Sequence, residues 1–278
     1  MRDTDAWRRG AALCLLAALS VACGSTEKGG MKAGVLIKPP CLDDPGQAVI
    51  MGDSYITGFF SPALQPTLAV LEPAVGGYRN YAVAGTSMAT GGLGTIPPQL
   101  TQAIAASAVM KFAIISGGGN DILICDSTRF PGCNTTCNIT GSSTQRVCMD
   151  VISTAILGAE QFMARIADAG VKDVIYFFYP HIPNNNGGYK EILDYAQPFA
   201  KDVCDRAFAA NGGKLTCHFI DLVQPFAKAG GDMNPANFSP LDGIHPSQAG
   251  QAIVAREIST VMQSRCLGQP SSSGCCAP

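Results

Sequence analysis

Ala48-Val49-Ile50-Met51-Gly52-Asp53-Ser54 is a run of four apolar residues that stops abruptly at small and polar ones. It has the shape of a buried strand feeding a loop, and other runs repeat it. Phe112-Ala113-Ile114-Ile115 ends in Ser-Gly-Gly-Gly, Val174 to Tyr179 ends at Pro180, and His218 to Leu222 ends shortly before Pro225. A strand with one wet face alternates apolar and polar residues. Uninterrupted runs are the pattern of parallel strands covered by helices on both faces. Amphipathic segments lie between them: Gln99 to Met110, Asp150 to Ala169, Tyr189 to Ala210 and Pro246 to Arg265. In the second, Ile152, Ile156, Phe162 and Ile166 fall near one helical face and Gly170 follows as a C-cap. Pro246 stands where a helix begins without losing a hydrogen bond, whereas Pro198 is expected to kink or split the third helix. The alternation predicts a three-layer α/β/α domain with a mostly parallel sheet, without internal repeat or second domain.

Composition sets outer limits on function. The 278 residues are 47% hydrophobic and only 14% charged, with a net charge of −2. Such a chain has core material in excess and no basic face for nucleic acid. Arg2, Arg8 and Arg9 precede an apolar run from Ala11 to Ala22, too short to span a bilayer and laid out as an export signal over residues 1–22. The twelve cysteines fit an oxidising compartment. Leu19-Ser20-Val21-Ala22-Cys23 resembles a bacterial lipobox, with Ser20 where an aliphatic residue is usual. Lipidation of Cys23 and loss of Cys14 leave an even ten cysteines; ordinary cleavage after Ala22 leaves an odd eleven. Residues 23–40 then form a tether, 41–266 the domain and 267–278 a tail carrying Cys275 and Cys276. Adjacent cysteines seldom bridge each other, so these two are expected to fasten the tail at separate places. Residues 125–148 hold four cysteines among Gly, Ser, Thr and Asn and read as a disulfide-pinned insertion.

In a parallel α/β sheet, reactive groups collect outside the carboxyl ends of the strands. The segments found there are Gly52-Asp53-Ser54, Ala82-Val83-Ala84-Gly85 after a strand near Tyr81, and Gly117-Gly118-Gly119-Asn120-Asp121. Nearer the C-terminus lies Leu241-Asp242-Gly243-Ile244-His245-Pro246. Together they hold the parts that acyl transfer needs. A serine hydroxyl becomes nucleophilic when an imidazole removes its proton, and a carboxylate at the other ring nitrogen fixes the tautomer. Ser54, His245 and Asp242 supply these. N–H groups near Ser54 and Gly85, with the Asn120 amide, supply donors for an oxyanion.

These four segments resemble blocks I, II, III and V of the SGNH (GDSL-like) hydrolases, in order. Gly52-Asp53-Ser54 is similar to the first, Asn80 to Gly85 to the second, Gly118-Gly119-Asn120-Asp121 to the third, and Asp242-Gly243-Ile244-His245 to the fifth. The resemblance runs from Ala48 to Arg265. It implies a flavodoxin-like fold, Ser54, Asp242 and His245 as catalytic residues, Ser54, Gly85 and Asn120 as the oxyanion hole, and neither metal nor organic cofactor. Tyr55 replaces the family's usual Leu, a change expected to act on packing or on the pocket rim. The function implied is a secreted or lipid-anchored serine ester hydrolase, monomeric, whose partner is its ester substrate and whose membrane contact is the lipid at Cys23. Lipid, short-chain and carbohydrate acyl esters all stay open.

Competing readings exist. Gly85-Thr86-Ser87-Met88-Ala89 resembles the nucleophile elbow of α/β-hydrolases, with Ser87 as nucleophile, but it leaves the first and third segments unused. A non-catalytic lipoprotein binding a glycan or lipid has no need of Ser, Asn, Asp and His together. His181, after a strand and before Pro183, reads as a surface-loop residue or as one bordering the pocket, and His218 as structural. Cys133 and Cys137 have zinc-like spacing without an accompanying His, and the sequons at Asn134 and Asn138 matter only in a eukaryotic secretory route.

Overall fold

Strand β1 (Ala48–Met51) lies inside a five-stranded sheet, and every one of its side chains is buried. The computed structural model describes residues 41–107, 109–124, 145–183 and 188–276. The expected signal and tether, and residues 125–144 of the expected insertion, including Cys133, Cys137, Asn134 and Asn138, fall outside them. The remaining strands are β2 (Arg79–Asn80), β3 (Phe112–Ile115), β4 (Asp173–Phe178) and β5 (Thr216–Asp221), in the order β2-β1-β3-β4-β5 and all parallel. The order reverses between β1 and β3, which opens a crevice at their carboxyl ends. β3 and β4 are fully buried, and β5, an edge strand with one neighbour, is mostly half-buried.

Eight helices are described: α1 (Ser54–Thr57), α2 (Leu64–Leu71), α3 (Pro97–Ala106), α4 (Gly119–Leu123), α5 (Gln145–Asp168), α6 (Tyr189–Ala210), α7 (Val223–Lys228) and α8 (Gln248–Arg265). α2 packs on α8, while α5 packs on α6 and reaches α3 through Arg165 and Thr101. The two groups form the outer layers of a three-layer α/β/α fold. Ile152, Phe162 and Ile166 of α5 are buried as their spacing requires, Ile156 is half-buried, and Gly170 takes the left-handed conformation (φ 92°) beyond the helix end. α8 starts two residues later than expected, because the Ser247 side chain, accepting from the Gly250 N–H, is its N-cap.

Pro198 does not split α6, which runs unbroken over 22 residues. Its ring is on the exposed side, where a carbonyl deprived of its helical partner can turn to water, and Ala196 and Ala200 to either side are buried in the core. Disulfides Cys204–Cys217 and Cys266–Cys275 tie α6 to β5 and the tail to the end of α8. The tail also pairs with the start of the domain through Leu42 and Pro270.

Candidate active site

β1 delivers the chain to Gly52, whose φ of 147° favours glycine and whose position has no room for a Cβ: it would meet the Ser116 hydroxyl at 2.6 Å. The Asp53 carboxylate caps α1, accepting from the Tyr55 N–H at 3.0 Å, and also accepts from Ser116 Oγ at 3.1 Å and from the Tyr179 hydroxyl. Burial pushes the Asp53 carboxyl up, while the bonds from Tyr179, the Tyr55 N–H and Ser116 pull the other way. Ser54 is thereby the first residue of a short helix whose entry is fixed on three sides.

The loop between α7 and α8 brings Asp242 and His245 to it. His245 Nε2 lies 2.8 Å from Ser54 Oγ, and His245 Nδ1 lies 2.5 Å from Asp242 Oδ2. The second carboxylate oxygen accepts the N–H groups of Ile244 at 2.9 Å and His245 at 3.1 Å. A carboxylate only accepts, so this arrangement puts the ring proton on Nδ1 and leaves the Nε2 lone pair facing the serine hydroxyl. Burial pushes the Asp242 carboxyl up, but the bonds from the His245 ring and the two N–H groups outweigh it and hold the carboxyl below its ordinary value of 3.8.

The loop after β2 is bound to the Ser54 turn. Val83 N–H donates to the Gly52 carbonyl at 3.0 Å, and Gly85 turns the chain at φ 78°. Neither the Ser54 nor the Gly85 N–H donates to another described residue. Asn120, at the start of α4, gives one amide N–H to the Thr86 carbonyl at 2.8 Å; the amide has two, so one remains. The Asp121 carboxylate is spent on scaffolding, accepting from the N–H groups of Met88 at 2.6 Å, Ala89 at 2.9 Å and Thr90 at 2.8 Å.

Ser87, the competing serine, is fully buried with its Oγ 3.0 Å from the Gly91 carbonyl, and among the described residues no histidine contacts it. His181 is not on the surface: its side chain is 4% exposed, with Nε2 2.8 Å from Asp194 and Nδ1 2.9 Å from Asp232. It fastens α6 to the loop that leads to Asp242. A position just beyond the end of β4 is buried by long-range packing that local sequence does not report. His218 is structural, 3.1 Å from Asp173.

Three residues hold the site through partners that are not legible locally. Gln99 clamps Gly52 at both ends, accepting its N–H at 2.7 Å and donating to its carbonyl at 2.9 Å. Tyr55 donates its hydroxyl to the Ile244 carbonyl at 2.7 Å, and its own carbonyl receives Gln251 Nε2 at 2.9 Å. Tyr179 ends the β4 run and carries the Asp53 bond. In sequence Gln99 is an amphipathic-helix Gln and Tyr179 an ordinary core tyrosine; Tyr55, expected to act on packing or the pocket rim, is buried and lines the pocket. Beside Ser54 and His245 opens a pocket of about 460 Å³, part of it continuous with solvent, walled largely by α4, α6 and the end of β4. Phe59 is half-exposed, with its ring 5.6 Å from that of His245.

A parallel 2-1-3-4-5 sheet with a Ser, a His and an Asp in hydrogen-bond sequence at its carboxyl edge has the architecture of the SGNH hydrolases, a class of ester-cleaving enzymes. A sequence model of GDSL-like lipases and acylhydrolases matches residues 26–258, and the chain belongs to that family and is a carboxylic ester hydrolase. Solved structures of the same fold include a protein from Parabacteroides merdae assigned to the GDSL-like lipases (TM-score 0.52, 14% identity, 83% of this chain and 99% of that one). A protein from Lactobacillus plantarum superposes with TM-score 0.51 at 19% identity, over 78% of this chain and 96% of the other. Est24, a carbohydrate acetylesterase from Sinorhizobium meliloti, does so with TM-score 0.50 at 15% identity, over 78% and 98%. No curated protein sequence matches the chain.

Proposed function

We propose that the chain hydrolyses carboxylic esters through an acyl-enzyme on Ser54. His245 Nε2 takes the hydroxyl proton as Ser54 Oγ bonds to the ester carbon, and Asp242 steadies the imidazolium. The carbonyl oxygen, now an oxyanion, is met by the N–H groups of Ser54 and Gly85 and the free Asn120 N–H. The carbon–oxygen bond to the alcohol breaks, and His245 returns the proton to the departing oxygen. Water then repeats the attack on acyl-Ser54, giving its proton to His245, and collapse of the second adduct frees the acid and restores the hydroxyl.

The observation that carries this reading is the continuous line from Asp242 through His245 to Ser54, at 2.5 and 2.8 Å. The test is labelling by a fluorophosphonate, which reacts only with an activated serine, together with hydrolysis of p-nitrophenyl butyrate by the wild type, Ser54→Ala and Ser87→Ala. Both signals vanish in Ser54→Ala alone. Persistence of both in that variant, with loss in Ser87→Ala, would refute the assignment. The same reading places the enzyme outside the cytoplasm, anchored through a lipid on Cys23; two disulfides among the described residues support the oxidising compartment. An unmodified Cys23 N-terminus, by intact mass from the native host, removes the anchor.

A further inference from the structure

An ester held at Ser54 has two ends, and the site treats them differently. His245 must deliver a proton to the leaving oxygen, so the alcohol lies on the His245 side, where Phe59 borders open solvent. Asn120 and the N–H groups of Ser54 and Gly85 claim the carbonyl oxygen. The direction left for the acyl group is the pocket itself. Its walls are Ile122 and Leu123 of α4, Ile182 beyond β4, and Ile192 and Leu193 of α6. Tyr55 and Tyr179 turn their rings toward it, but their hydroxyls are committed to the Ile244 carbonyl and to Asp53. Tyr189 of α6 lines the pocket as well; among the described residues, and apart from Asp53, Ser54, Asn120 and His245 of the reacting centre, the walls give mainly hydrocarbon contact. Such lining selects an apolar ligand.

Size selects further. The apolar walls come from α4, the segment after β4 and α6, and covering all three takes more hydrocarbon than a single methyl group supplies. An acetyl group leaves the α6 wall uncovered and forgoes that contact.

The geometry points to an aliphatic acyl chain of several carbons as the occupant of this pocket, with Ile192 and Leu193 setting its length. The enzyme is then an esterase of medium-chain acyl esters, with a loosely specified alcohol. This rests on Ser54 being the nucleophile. Each buried methylene raises kcat/KM by up to roughly fourfold, because the chain stays in the pocket through the transition state.

The experiment is kcat/KM of the full chain for p-nitrophenyl acetate, butyrate, hexanoate and octanoate, below their aggregation limits, beside ethyl and octyl butyrate, which vary only the alcohol. The expected result is a rise of at least tenfold from acetate to hexanoate, with a much weaker response to the alcohol. Leu193→Phe, which narrows the pocket, moves the optimum to a shorter chain and cuts the octanoate-to-acetate ratio at least tenfold. Ile192→Ala, which widens it, raises that ratio; circular dichroism confirms that either variant is folded. A preference for acetate, a stronger response to the alcohol than to the acyl chain, no hydrolysis of any ester by folded protein, or an unchanged profile in both folded variants would each overturn the inference. Fluorophosphonate labelling and Ser54→Ala test the nucleophile separately, so a failed chain-length profile with intact labelling counts against the acyl pocket alone.

Discussion

The Tyr55 hydroxyl donates to the Ile244 carbonyl at 2.7 Å, joining the residue after Ser54 to the residue before His245 across 189 positions of chain. Tyr55 is buried, and burial together with the nearby Asp53 and Asp242 carboxylates pushes its phenol far above the ordinary 10.0, so it remains a neutral donor at any working pH. The bond sets the spacing between the proposed nucleophile and its base.

Tyr55→Phe keeps the ring and removes the bond. A neutral hydrogen bond of this kind contributes about 1 kcal/mol, so kcat is expected to fall roughly fivefold while KM for p-nitrophenyl butyrate stays within a factor of two. A fluorophosphonate labelling rate equal to that of the wild type would show that the bond does not position His245.

Asp242→Asn preserves shape but replaces an oxygen acceptor by a neutral amide at the His245 Nδ1 bond, and the opposite tautomer takes the Nε2 lone pair away from Ser54. A loss of roughly 10³ to 10⁴ in kcat is expected, with little change in melting temperature. A loss below tenfold means that Asp242 does not orient the ring.

The buried Asp121 carboxyl predicts a pH dependence of stability. Burial pushes it from 3.8 up to about 6, against the pull of the Thr90, Ala89 and Met88 N–H groups and its own. The folded state therefore binds this proton more tightly than the unfolded chain. Its stabilising effect is complete below pH 4 and is lost as pH rises toward 6, a negative slope of stability against pH. Asp121→Asn is less stable overall but lacks this contribution, and the wild-type-minus-variant difference in unfolding free energy declines from pH 4 to pH 6. A flat or rising difference over that window counts against the shift.

His181 holds the α6 wall of the pocket to the loop before Asp242. Replacing it by Ala deletes contacts to Asp194 and Asp232 and opens a void, though both carboxylates are about half-exposed and the ion-pair share is discounted accordingly. About 2 kcal/mol is expected, lowering Tm by roughly 4–8 °C in a domain of this size. Activity toward octanoate should fall more than activity toward acetate; equal losses would assign His181 to stability alone.

The class of fold was open to reading because its signals are local. Ala48–Met51 and Phe112–Ile115 are strands with the boundaries their apolar runs mark, and the amphipathic segment Tyr189–Ala210 is helical over its whole length. The misreadings have one origin. Pro198 looks like a breaker until the exposure of its ring is known, and His181 looks like a surface residue until Asp194 and Asp232 close on it. β2 has only two residues, too few for any pattern to register, and its pairing with β1 is what makes it a strand.

By itself the sequence determined the alternation of buried strands and amphipathic helices, and the chemistry of the loops that follow those strands. Apolar periodicity and the residue types at each strand end are written in consecutive positions. It also singled out Ser54, Asp242, His245 and Asn120 as a set. Only the tertiary structure decided how they are held. Gln99 clamps Gly52 from 47 residues away, Tyr55 reaches Ile244 across 189, and Tyr179 meets Asp53 across 126. It also decided that the space beside Ser54 is walled by Ile122, Ile182, Ile192 and Leu193. Hydrogen bonds and van der Waals contacts act over a few ångströms of space, and separation along the chain says little about which groups folding brings within that range.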